Sequence, residues 1–248
     1  MVSTRFLLAG LAAMVSAAPT TPCKPKPQTS PTLPKLGGSS ELPAPAANLT
    51  LKKIAIGHGI QNYTCGAAEG NSSAAGAVAV LYDATSLFPG TGRTALSQGA
   101  WDSLPSTLLR QQALPLNKLS GTEYGADPAK PFPQPTDDLR LSGLPVVKFL
   151  GYHYFDSNNV PMFDVTTAGL KASVTKRINL AAPNGADKGI LNTGAVDWLE
   201  LGDSGKGLSQ GLSIVYRVVT AGGAPQPCSV AGVGLQSVPY TTYYWFYG

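Results

Sequence analysis

Short runs of β-branched and aromatic residues, each closed off by Gly, Pro, Asn or Asp, recur from Leu49 to Tyr247, and no other pattern constrains the fold as tightly. They are Leu49–Ile56, Ile60–Cys65, Gly76–Tyr82, Val146–Tyr154, Val160–Val165, Leu170–Ile178, Ala195–Leu201, Leu212–Thr220 and Tyr240–Tyr247. Runs of this length and composition read as strands. Their recurrence predicts an all-β class: an antiparallel β-sandwich or barrel-like single domain over residues 48–248. One short helix is expected at Ser106–Leu114, with Pro105 in its first turn and Pro115 as its stop. Around it, residues 84–145 form one long irregular insertion, rich in Pro, Gly and Leu. So long a connection in a compact domain is a lid or is disordered. There is no fixed-period repeat or coiled-coil heptad.

The N-terminus has a different character. Arg5 precedes the apolar run Phe6–Val15, which ends in the small residues Ser16, Ala17 and Ala18. This reads as an export signal spanning residues 1–17, too short to cross a bilayer. Residues 18–47 hold eight prolines and few large apolar side chains, the composition of a disordered, Pro-rich tether. No later stretch approaches a membrane span of roughly 20 apolar residues, and the ending Tyr243–Gly248 lacks a lipid-anchor tail. The expectation is a soluble secreted protein, extracellular or associated with the cell wall.

The net charge of +4 suggests nucleic acid until it is divided. Arg5 leaves with the signal, and Lys24, Lys26 and Lys35 lie in the tether. From Asn48 onward 14 Lys and Arg face 13 Asp and Glu, leaving +1. Without a basic cluster the domain has no footprint for nucleic acid or an anionic membrane.

Three cysteines in an exported chain imply one disulfide and one thiol left over. Cys65 and Cys228, both inside the domain, are the expected pair, which leaves Cys23 free, capped or linking two chains of an otherwise monomeric protein. The competing arrangement has Cys23 pinning the tether to the domain. Three Cys and two His cannot build a four-ligand zinc site without carboxylates, so no metal is expected. Asn48, Asn62 and Asn71 each begin a glycan acceptor triplet. If Asn62 carries a sugar, strand alternation puts Gln61 and Tyr63 on the opposite face.

The string Gly59-Ile60-Gln61-Asn62-Tyr63-Thr64-Cys65, followed by Leu81-Tyr82-Asp83, resembles a family of secreted fungal and bacterial proteins classed as a domain of unknown function. Gly151–Phe155, Ala195–Leu199, Val215–Gly223, Cys228 and Val238–Gly248 resemble its other blocks in the same order. The likeness covers nearly all of the domain from Leu49 onward. It implies no established activity, although some fungal members carry the label malate dehydrogenase. The residues argue against that label. A nicotinamide dehydrogenase needs a strand, a Gly-rich turn and a helix to seat the pyrophosphate, whereas Gly90-Thr91-Gly92-Arg93-Thr94-Ala95 stands in an irregular stretch with no acidic residue about 20 positions on at the end of a second strand. No cofactor is expected.

Other constellations are weaker. Gly202-Asp203-Ser204-Gly205 has the look of a nucleophile turn but is followed by Lys206 and lacks a partnering His, so a β-turn is expected. His58, expected in a Gly57-His58-Gly59 turn, and His153, expected in a strand, have no spacing that brings them together with Asp156 or Asp164 on a metal. Asp83, Asp102, Asp197, Glu200 and Asp203 offer no selected pair for a glycosidase. The most suggestive feature is the supply of rings in strands, since an aromatic face with a polar tip suits sugars. The expected function is a non-catalytic binding or wall-associated protein with a carbohydrate or wall polymer as partner. Its binding residues would be His153, Tyr152, Tyr154, Asp156, Trp198, Gln61 and Tyr63, at strand ends beside the 84–145 segment. A secreted hydrolase acting on glycans or esters through Asp and His is the alternative.

Overall fold

Along Ile54–Gln61 every residue is buried, as expected of a strand covered on both faces rather than one. The computed structural model describes residues 1–2 and 30–248. It shows eight antiparallel strands in chain order: β1 (Leu51–Cys65), β2 (Ser73–Asp83), β3 (Phe149–Phe155), β4 (Pro161–Val165), β5 (Leu170–Leu180), β6 (Trp198–Asp203), β7 (Ile214–Gly222) and β8 (Gly234–Tyr247). Each pairs with the next, and β8 returns to β1 from Leu51↔Tyr247 to Cys65↔Gly234, closing a barrel. Closure leaves the sheet no open edge.

The two expected runs Leu49–Ile56 and Ile60–Cys65 are one strand. The turn placed at Gly57-His58-Gly59 is extended backbone, because these glycines answer crowding inside the barrel. A Cβ at Gly57 would lie 2.7 Å from the Tyr244 ring, and one at Gly59 would lie 2.0 Å from the Val78 carbonyl oxygen. Elsewhere each predicted run coincides with a strand to within a few residues, the widest difference being β8, which begins at Gly234 rather than Tyr240.

Strand alternation splits the apolar residues into two cores. Ala55, Ala79, Leu81, Leu150, Phe163, Val165, Ala172, Val174, Leu201, Val215, Tyr244 and Phe246 form one cluster that draws on all eight strands, so it is the barrel interior. Their sequence neighbours Ile54, Ile56, Val80, Tyr82, Trp198, Tyr216, Val218, Tyr243, Trp245 and Tyr247 form a second core on the outside. There the insertion supplies the cover: Leu87, Phe88, Leu139 and Leu141 join the outer core, as do Trp101, Leu104 and Leu108 of the helix α1 (Gln98–Gln111). The 84–145 segment is therefore neither lid nor disorder, since its scattered Leu, Phe and Trp bury enough apolar surface to hold it on the wall. The later part of the predicted tether is corrected in the same way. Leu33 and Leu36 pack on this core, Leu42 is buried in it, and the Tyr216 hydroxyl donates to the Pro43 carbonyl at 3.0 Å. Cys23 and nearly all of the leader lie outside the described residues.

The helix begins earlier than expected, capped by the Ser97 hydroxyl accepting from the Ala100 amide at 3.3 Å. Pro105 consequently falls in mid-helix, where its missing N–H leaves the Trp101 carbonyl without its usual partner. The Tyr243 hydroxyl donates to that carbonyl at 2.8 Å, and its ring stacks on Trp101 at 4.1 Å and 8°. One side chain of β8 thus repairs the helix and fastens it to the barrel.

At one end of the barrel, Cys65, the last residue of β1, is bonded to Cys228 at the start of the single-turn helix α2 (Cys228–Ala231). The expected pairing is the one present. No helix among the described residues is long and apolar enough to cross a membrane.

Candidate functional site

Directly paired residues of neighbouring strands point to the same face of a sheet. The ladders align Gln61 with Ala77, Ala79 with His153, and His153 with Phe163. On the other side, Leu199 aligns with Arg217, and Arg217 with Tyr244. Since Ala79, Phe163 and Tyr244 belong to the interior core, Gln61, His153 and Arg217 also face inward. Leu81, Val165, Val215 and Phe246 fill the barrel toward one end. Toward the other, the polar residues surround a cavity of about 450 Å³, lined also by Tyr63, Phe155 and Tyr244 and rimmed by Lys176, Asp197 and Pro225.

Each polar group has a definite state. His153 Nδ1–H donates to the Met162 carbonyl at 2.9 Å while its ring stacks on Phe163 at 4.2 Å. Burial pushes its pKa down to about 4, so the imidazole is neutral and Nε2 carries a lone pair. Tyr63 donates to the Gly223 carbonyl at 2.7 Å, and burial raises its phenol to about 12. The Tyr240 and Tyr244 hydroxyls bond each other at 2.9 Å. Burial raises both phenols, an effect that the Arg217 charge partly offsets.

Arg217 is only 9% exposed. Its Nε and Nη2 donate to the Asp197 carbonyl at 3.0 and 2.9 Å. Among the described residues no carboxylate lies within 4.0 Å of the guanidinium. Gln61 Nε2 is also buried and has no hydrogen-bond partner among them. Two donors, one of them charged, thus stand in the same interior with spare capacity.

Of the residues expected to bind, the fold brings Gln61, Tyr63 and His153 together and separates the rest. Tyr152 and Tyr154 face outward into a second, larger groove of about 930 Å³ between β1–β3 and the 119–132 stretch, shared with Tyr124 and Phe132. Phe132 stacks on Tyr152 at 4.1 Å, and the Tyr152 hydroxyl bonds Gln134 and Thr136. The expected position beside the 84–145 segment therefore describes the outer groove, not the interior cavity. The groove is the larger hollow, but the unpaired buried donor that lines a hollow is Gln61 Nε2 inside the barrel; the other two, the indole N–H groups of Trp198 and Trp245, lie in the outer core. Asp156 orders the β3–β4 turn, accepting from the Asn158 and Val160 amides at 2.9 Å each. Trp198 is buried in the outer core.

His58 lies on the outer wall, across the barrel wall from the site of His153. Its Nε2–H donates to the Ala113 carbonyl at 3.2 Å and its Nδ1 accepts from Thr241 at 2.8 Å, tying the chain after α1 to the barrel. Among the described residues no three His, Cys, Asp or Glu side chains gather closely enough for a metal ion. Ser204 stands in a turn ordered by Asp203 and bonds Ser173 at 2.8 Å, with no histidine partner.

Sequence reasoning missed Arg217, although a signal was present. In Ile214-Val215-Tyr216-Arg217-Val218 the charge stands at the same parity as Val215, which marks it as interior once β7 is known to be covered on both faces. The expected opposition of Asn62 to Gln61 and Tyr63 is the arrangement observed: Asn62 is half-exposed outside, where its Oδ1 accepts from Ser237 at 2.7 Å, and the other two line the cavity.

No curated protein and no solved structure matches the chain. A family model described as a protein of unknown function, DUF3455, matches residues 45–248, the whole of the barrel with its outer cover, and the chain belongs to that family.

Proposed function

We propose that this chain is a secreted, non-catalytic binding protein that takes a small organic molecule into the open end of its barrel. The observation that carries the reading is the cavity of about 450 Å³ beside inward-facing Gln61, whose Nε2 has no hydrogen-bond partner among the described residues, and Arg217, which has no carboxylate within 4.0 Å among them. Buried polar donors are ordinarily satisfied, so a ligand is the natural partner for these. Catalysis is not favoured by the surroundings of His153. Among the described residues its hydrogen-bond partner is a backbone carbonyl, with no carboxylate or serine beside the ring. Export is supported by the apolar run Phe6–Val15 and by the Cys65–Cys228 disulfide.

Native mass spectrometry of the chain collected from a secreting host tests the reading. The wild type should retain or take up a small molecule, and Ala77→Trp, which fills the cavity from the β2 wall, should not while keeping its circular dichroism. Equal uptake by the filled variant would overturn it.

A second reading is supported by Tyr124, Tyr152 and Tyr154, three half-buried rings along the outer groove. They provide stacking faces for a glycan or wall polymer. A glycan array on which Tyr154→Ala performs as well as wild type would remove it.

A further inference from the structure

We infer that the barrel cavity is built for a ligand bearing a single carboxylate, with Arg217 as its counter-ion; the inference rests on the binding function proposed above and specifies what that site selects. A guanidinium cannot shed its proton, so a buried one needs an opposing charge or a full set of acceptors. Among the described residues Arg217 has no carboxylate partner, and its acceptors are the Asp197 carbonyl and the neighbouring Tyr244 hydroxyl. Two of its five N–H groups share one carbonyl oxygen, and no carboxylate is within ion-pair distance among the described residues. The nearest candidate, Asp197, turns its backbone toward Arg217 while its carboxylate is held by Asn179 Nδ2 at 3.0 Å.

The rest of the lining points to the same ligand. Gln61 Nε2 adds a second uncommitted donor. The tyrosine hydroxyls near it are already engaged, Tyr63 with Gly223 and Tyr240 with Tyr244. The charged lining residues Lys176, Arg217 and Asp197 leave the cavity with a net positive charge. A guanidinium with a neutral amide beside it matches one negative charge spread over two oxygens. A phosphate dianion would need further cations, and the remaining walls, Phe155, Leu199, Leu201 and Pro161, are apolar. Those walls call for a hydrophobic body behind the carboxylate, and Lys176 at the rim would draw the anion inward.

The test is calorimetric titration of the full mature chain with benzoate, benzamide, benzylamine and inorganic phosphate. Benzoate should bind at least tenfold more tightly than benzamide, with benzylamine and phosphate weaker still, as a charge-assisted pair in a buried site requires. Arg217→Met should abolish the preference for benzoate while changing benzamide less than twofold. Should that variant fail to fold, the wild-type comparison needs no substitution, and Gln61→Leu should weaken benzoate at least threefold. Equal affinity for benzoate and benzamide, or stronger binding of phosphate, overturns the carboxylate assignment and leaves the cavity reading standing. Absence of binding by any ring compound overturns both.

Discussion

Replacing Tyr243 by Phe removes one oxygen atom and tests how the helix is held on the barrel. The ring stays, so the stacking on Trp101 at 4.1 Å is preserved, but the Trp101 carbonyl loses the hydroxyl that stands in for the amide Pro105 lacks. Tyr243 is fully buried and Trp101 is 1% exposed, so water cannot replace the donor. An unsatisfied buried carbonyl costs about 1–3 kcal/mol, or a fall of about 2–4 °C in midpoint per kcal/mol for a domain of this size. Urea unfolding followed by circular dichroism measures it. The decisive control is Pro105→Ala, which restores an N–H four residues after Trp101. In that background Tyr243→Phe should cost less than about 0.5 kcal/mol, giving a coupling of about 1 kcal/mol or more. If Tyr243→Phe costs the same with Pro or Ala at 105, the hydroxyl does not substitute for the missing helix bond and the reasoning fails.

Other perturbations bear on separate parts of the molecule. Opening the Cys65–Cys228 bond frees a loop with a sequence separation of 163; the double alanine variant should lose about 2–5 kcal/mol in denaturant titrations, and an unchanged midpoint would show that the bond constrains little. His58 and His153 are held neutral by burial, each lowered from 6.5 to about 4. The unfolded chain binds protons that the fold refuses, so their stabilising contribution is present above pH 6.5 and lost as pH falls through about 4, with about 2 kcal/mol each gone by about pH 5. Urea midpoints should fall over that range, and less steeply in His58→Gln; a flat profile from neutral to pH 5 contradicts the burial of both rings. Glycan occupancy should follow exposure, with the exposed Asn48 and Asn71 modified more fully than half-buried Asn62. Site-resolved mass spectrometry giving the reverse order would refute that link.

The strands were legible because their apolar runs are short and well punctuated. What the runs could not convey was closure. A strand such as Ile54–Gln61, buried inside and outside, shows no alternation, and its internal glycines read as a turn until the opposing Tyr244 and Val78 are in place. The helix was misplaced because Pro105 was read as a first-turn residue, and the bond that excuses it comes from a tyrosine 142 positions away at its partner carbonyl. Nothing local to the helix announces that contact. The insertion defeated pattern reading for a similar reason: Leu87, Leu139 and Leu141 have no period of their own and are buried only because a barrel wall stands beneath them. In the site, Gln61, Tyr63 and His153 were found through the aromatic and polar composition of their strands. Tyr152 and Tyr154, next to His153 in sequence, are parted from it by one step of alternation, and Arg217 was passed over because its parity with Val215 marks it as interior only once β7 is known to be covered on both faces.

The central claim is that the inward face of β2 borders a ligand space open to solvent, and cysteine accessibility measures this directly. In a Cys23→Ser background, Ala77→Cys should react with a small methanethiosulfonate, be refused by a bulky maleimide, and be protected by bound benzoate. Ala79→Cys, one inward position deeper where the wall is fully buried, should stay unmodified in the folded chain. If the thiol of Ala77→Cys is inert to the small reagent, or if that of Ala79→Cys reacts equally well, the barrel has no ligand space at this end and the account is wrong.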